Sequence, residues 1–229
     1  MQDLGNQVFV QSDDRCDDEC ISLKARAKAA GLDKVKEIDA YAKQACEKWI
    51  DVRTFGQVFA FNDSVCKSVG VRGPVSIHQA VSIDPIEVNS MQITKSVSGD
   101  KKTAQDRGSD TMGMKHFVRF GLYLIKGSIN VQLAEKTGFS AEDAETVKEC
   151  LRTLFVNDAS SARPEGSMEV VRLVWWQHNC KDGQYSTAKV HRSLKVEKRE
   201  DVELPTSAED YEISIEELPG LKYELIEGM

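Results

Sequence analysis

Proline is scarce, with five residues in 229, and aromatic side chains make up only 7%. That composition excludes collagen-like and proline-rich linker sequences. No apolar run approaches the ~18–20 residues of a membrane span. The opening MQDLGNQVFVQSDD lacks the basic start and apolar centre of a secretory signal. No membrane association is expected, and the expected compartment is the cytoplasm. GxGxxG, P-loop, HExxH and GxSxG patterns are all missing. The six cysteines are mostly isolated, and Cys16-x-x-x-Cys20 has no matching Cys/His pair at ligand spacing. Reduced thiols, no metal, no cofactor and no catalytic residue are therefore expected.

What is present is ordinary globular material: 41% hydrophobic and 29% charged residues, enough for one large domain or two small ones. The net charge of −7 is unevenly placed. Residues 1–50 carry −2, residues 51–130 carry +3, residues 131–200 are neutral and residues 201–229 carry −8. An acidic end says little about what the body binds. The expected organisation is one domain over 1–200, with a mobile basic loop at 97–116, followed by an acidic tail over 201–229.

Periodicity sketches the elements. Residues 16–30 are weakly helical and stop at Gly31. Asp33 is read as the N-cap of a helix reaching Ile50, with Val35, Ile38, Ala42, Ala45 and Trp49 as its apolar stripe. Residues 8–11, 57–61, 75–83, 87–95 and 117–130 are β-like. Ser140 and Asp143 form a capping-box pattern at the head of a helix over 139–157. Residues 168–178 and 189–196 read as a hairpin turning at Lys181-Asp182-Gly183, and residues 211–215 as one further strand. This mixture predicts an α+β fold.

The basic residues Arg53, Arg72, Arg107, Lys115, Arg119 and Arg163 lie beside glycines or turns. Such placement lets a backbone come close to a phosphate while the side chain neutralises it. The same loops carry eight motifs in one order: DVRTFG (51–56), VRGPVSI (71–77), SIDP (82–85), ITKSV (93–97), TMGMKH (111–116), GLY (121–123), LAEKTGFSAED (133–143) and SSAR (160–163). Together, over residues 40–196, they resemble the backbone subunit of the CRISPR-associated type I-C Cascade, the Csd-two or Cas-seven family.

The resemblance implies a modified RRM-like, ferredoxin-like antiparallel sheet with finger and thumb insertions. It implies a non-enzymatic subunit that polymerises with copies of itself along CRISPR RNA, beside other Cascade subunits, and presents the guide for pairing with target DNA. On that reading Arg53, Arg72, Lys115, His116 and Arg163 are the expected guide contacts, and Met112 and Met114 the expected base-displacing wedges. Three departures stand out. The family's first strand, its Asn/Gly/Pro-rich loop and the basic helix after it are not found here. Met114 and Ala159 occupy positions where the family usually has basic residues. Two alternatives follow: a truncated copy that associates with Cascade without RNA, or a metal-dependent endoribonuclease using Asp51, Asp84, Asp106 or Asp110.

Overall fold

The computed structural model describes residues 1–62, 64–94 and 112–229. The part of the expected basic loop over 97–111, with the expectations placed on Asp106, Arg107 and Asp110, lies outside the described residues.

In chain order the first helices are α1 (Leu23–Ala29), α2 (Ile38–Lys48) and α3 (Ile50–Phe55). Eight strands follow: β1 (Gly56–Phe59), β2 (Val69–Arg72), β3 (Val75–Ile77), β4 (Val81–Ser82), β5 (Val88–Thr94), β6 (Met112–Val118), β7 (Tyr123–Leu124) and β8 (Gly127–Ile129). Then come α4 (Val131–Thr137), α5 (Ala141–Arg152), β9 (Arg172–Gln177), α6 (Thr187–Ser193), β10 (Leu194–Lys198), β11 (Tyr211–Ile215) and β12 (Lys222–Glu227). The chain is α+β, as expected. Its strands pair two by two, all antiparallel, as β1–β2, β3–β8, β4–β7, β5–β6, β9–β12 and β10–β11. One continuous RRM-like sheet is not seen among the described residues.

The chain divides into two compact units. The first holds residues 1–78, 126–193 and 217–229, and the second 79–125 and 194–216. The acidic end is therefore no tail, since it supplies β11 to the second unit and β12 to the first. The expected hairpin at 181–183 is also corrected. β9 pairs with β12 and β10 with β11, and α6 fills the interval instead. The Asp-Gly turn is real, with Gly183 at φ +80, but turn chemistry does not choose the strand that returns.

The core of the first unit is aromatic. Phe9 meets Trp49 at 4.7 Å and Phe59 at 5.0 Å, and Tyr41 meets Phe59 edge-on at 5.2 Å. Burying each such ring contributes about 1.5–3 kcal/mol. Helix α2 turns Tyr41, Ala45 and Cys46 inward, and Trp49 just past its end is buried with them. Ala45 and Trp49 belong to the expected stripe, but Ile38 is exposed. The expected single helix is broken in two, and Asp33 sits in a short 3-10 turn, Leu32–Lys34.

Residues 8–11 form no strand, because a side chain satisfies them first. The Asp51 carboxylate accepts the Phe9 N–H at 2.8 Å and the Val10 N–H at 2.9 Å. Buried Arg26 completes this clamp, donating to the Phe9 carbonyl at 2.8 Å and forking onto Asp18 at 2.6 and 2.8 Å. Two smaller apolar clusters serve the rest of the unit. Val75, Phe139 and Val147 gather under α5, and Val190, Leu218 and Leu221 pack beside Trp176. The capping box of α5 is present, with Ser140 Oγ accepting from Asp143 N–H at 3.1 Å.

In the second unit, β10 and β11 turn Leu194, Val196, Ile213 and Tyr211 to their covered face. Burial, and then the Asp84 carboxylate, push the Tyr211 phenol up to about 12. The outer face places Glu197 directly opposite Glu212, both exposed. Like charges in that position destabilise a sheet. Glu212→Lys should therefore raise the unfolding free energy by roughly 0.2–1 kcal/mol, read from urea denaturation. A variant no more stable than the parent would show that the pair carries no cost.

Candidate nucleic-acid interface

Two surfaces, one in each unit, hold five of the expected residues: Arg72 in the first, and Met112, Met114, Lys115 and His116 in the second. The first begins with a close backbone approach. Gly56 ends α3 at φ +85, and Gly73 follows β2. A Cβ on either would run into the backbone of the other segment. The last glycine of DVRTFG and the glycine of VRGPV thus pack backbone against backbone, which only glycine allows. This contact sets the register in which Gly56 lies opposite Arg72 and Val58 opposite Gly70.

The two faces of β1–β2 differ sharply. Phe59 and Val69 point into the aromatic core. Val58, Gly70 and Arg72 are exposed on the other side. Among the described residues, nothing stands within 4 Å of where a Gly70 Cβ would be. Arg72 has no ion-pair partner among the described residues. An exposed face with the Arg72 guanidinium at its end suits a phosphate backbone lying across it. Val58 and Gly70 escaped the sequence reading. Their signal was the alternation Phe59/Val58 against Val69/Gly70, which is too short to assign faces without the pairing.

The second surface is the β5–β6 ribbon, which corrects the expected loop at 97–116: its last five residues, 112–116, are strand. The sequence signal was MGMKHFV, whose alternation is visible once Met112, Met114, His116 and Val118 are read together. In register, Ser90 faces His116, Met91 faces Lys115, Gln92 faces Met114 and Thr94 faces Met112. Directly paired residues share a face and neighbours alternate. Met112, Met114 and His116 therefore line one face, while Lys115, Met91, Ile93 and Phe117 line the other. His116 Nδ1 is hydrogen-bonded to Ser90 Oγ at 2.8 Å, and Gln92 Nε2 donates to Met112 Sδ at 2.7 Å. Met112 is 65% exposed and Met114 58%. Every residue of β6 is exposed.

Arg163 and Arg53 lie apart from these surfaces. Arg163 pairs with Asp158 at 3.0 Å, both about half exposed, in a turn closed by Ser160. An exposed pair of this kind is worth about 0–1 kcal/mol and exchanges partners readily. Arg53 is different. Its guanidinium forks onto Asp143 at 2.7 and 2.9 Å, where the carboxylate is only 8% exposed. The residue expected among the guide contacts is committed to holding α3 against the head of α5. Of the acidic residues considered for metal chemistry, Asp51 is engaged by two backbone N–H groups and Asp84 stands beside Tyr211. Among the described residues, no group of three or more His, Cys, Asp or Glu side chains is placed to hold a metal ion. No helix among them is long and apolar enough to cross a membrane.

Comparison with known families settles the kinship. The family model described as CRISPR-associated protein Cas7 matches residues 1–216. The chain belongs to the Cas7 family. No curated protein matches it. The Cas7 match takes in both surfaces and reaches beyond the motif-bearing stretch of 40–196. It covers the Asp51 and Arg26 clamps at one end and β11 at the other, and it stops short of β12.

The buried fork makes a prediction. Arg53→Ala should lower the unfolding free energy by about 3–5 kcal/mol, because it strands the Asp143 charge. Arg53→Ala with Asp143→Ala should cost less than the sum of the single changes. Burial pushes the Asp143 pKa up, but hydrogen bonds from Arg53 and Ser140 outweigh it and the net shift is downward. The stabilisation is thus complete above the unfolded carboxylate pKa of about 3.9 and is lost as pH falls through the lowered native value. Urea denaturation at stepped pH checks both points. A strictly additive cycle, or an unchanged acid limb in Arg53→Ala, would remove the fork from the account.

Proposed function

We propose that the chain is a non-catalytic backbone subunit of a type I-C Cascade complex. It binds CRISPR RNA, polymerises with copies of itself along the guide, and presents the guide for pairing with target DNA beside other Cascade subunits. The observation that carries this reading is the Cas7 match over residues 1–216, which spans both candidate surfaces. Their chemistry supports it. A subunit that accepts any guide sequence works through phosphate contacts and shape rather than base edges. The Val58–Gly70–Arg72 face offers close approach and an exposed cation. The β5–β6 ribbon offers Lys115 on one face, with Met112, Met114 and His116 on the other. Exposed thioethers on a narrow ribbon can part stacked bases without reading them. Arg163 adds a cation held only by an exposed partner.

Sequence-independent contacts have a distinctive signature. Arg72→Ala and Lys115→Ala should each weaken binding to unrelated guide sequences equally, and each should reduce the slope of log K against log salt by about 0.7. Met112→Ala with Met114→Ala should weaken binding and leave that slope unchanged. Binding isotherms at several salt concentrations separate the two classes. The ultraviolet absorbance ratio of protein purified with co-expressed CRISPR RNA and sister subunits tests the reading itself. Protein that emerges free of nucleic acid would overturn it in favour of a copy that associates without RNA.

A further inference from the structure

All six cysteines are free thiols, and four of them are unremarkable. Cys46 and Cys66 are buried, Cys150 lies beside the Met1 ammonium at 3.2 Å, and Cys180 sits exposed in a turn. Cys16 and Cys20 share one environment. Cys16 is exposed and Cys20 half-buried. Both wrap around Asp18, whose Oδ1 accepts the Cys20 N–H at 2.9 Å and lies 3.5 Å from Cys16 Sγ. Cys16 Sγ lies 3.8 Å from the Cys20 carbonyl oxygen. The buried Arg26 guanidinium sits beneath the turn and donates to Cys16 Sγ at 3.5 Å through Nη2. Residues 16–22 belong to no helix or strand, so the two sulfurs can approach without breaking a ladder.

From this arrangement we infer that Cys16 and Cys20 form a thiol–disulfide modification site that reacts with oxidised glutathione, Cys16 attacking and Cys20 resolving. In the first step the Cys16 sulfur attacks one sulfur of the disulfide. A bond forms between Cys16 and that half, the glutathione S–S bond breaks, and the departing glutathione takes the Cys16 proton. In the second step the Cys20 sulfur attacks Cys16 Sγ and releases the second glutathione as a thiol with the Cys20 proton. Two protein thiols are oxidised and one glutathione disulfide is reduced to two thiols. The order follows from position. Cys16 is exposed and is the sulfur that oxidised glutathione reaches first, while Cys20 is only half exposed. Desolvation and the Asp18 carboxylate push the Cys20 thiol up, which suits the slower, resolving partner. This site is independent of the RNA-binding reading.

The test incubates the whole reduced chain with oxidised glutathione, alkylates the remaining thiols and maps peptides by mass spectrometry. The expected result is a peptide bearing both Cys16 and Cys20 that loses two hydrogens and keeps no glutathione. Cys180, exposed but without these neighbours, should hold its glutathione as a mixed disulfide. In Cys20→Ser the two-hydrogen loss should vanish and glutathione should remain on Cys16. In Cys16→Ser the loss should vanish and modification of Cys20 should trail that of Cys180. The proposal is overturned if Cys16 and Cys20 stay free while Cys180 is modified. It is equally overturned if both retain glutathione in the parent chain, or if either pairs with a different cysteine.

Discussion

A guanidinium fork closed on a buried carboxylate holds the first unit in order. Arg53 reaches from α3 to Asp143 at the head of α5, two segments ninety residues apart in the chain. Asp143 is shared, because the same carboxylate accepts the Ser140 backbone N–H at 2.9 Å to complete the helix cap. Three orphan needs are met at one point: a helix N-terminus, a buried cation and a buried anion. From that point the geometry runs outward. α3 is fixed, so Gly56 is fixed against Gly73, and Arg72 stands at the open edge of β2.

The charge imbalance looks different once the strands are placed. The acidic excess of residues 201–229 is partly matched within the first unit. Glu224 meets Lys148 at 3.0 Å, and Glu227 meets Arg172 at 3.3 Å. Lys148 also lies over the Trp175 ring at 5.2 Å. These contacts stitch β12 onto β9 and α5, so acidic residues that looked like a solvated end serve as fasteners. The Glu197–Glu212 pairing of the second unit is the exception, a repulsion on an exposed face.

The sequence made plain whatever depends on neighbours in the chain. The Ser140–Asp143 cap, the Gly31 stop, the strand at 211–215 and the α+β class could all be read locally. Pairings over long separations could not. Lys181-Asp182-Gly183 promised a hairpin, but the strand that joins β9 arrives about forty residues later. Arg53 looked like a free loop cation, since only the folded chain brings Asp143 to it. Met112 and Met114 read as loop residues, because the alternation of β6 abuts a polar stretch that hides where the strand begins. Val58 and Gly70 carried only a two-residue alternation, and their exposure became visible only through their pairing.

Both sides of the β5–β6 ribbon are in solvent, which frees its sequence from the core. A residue in α2 or β1 answers to its packing partners, and most changes there cost stability. On the ribbon, substitutions leave the folded body intact, so what restrains drift there is whatever the ribbon touches. Variation among related chains should therefore follow the binding partner along these fourteen ribbon positions and the protein's own interior everywhere else.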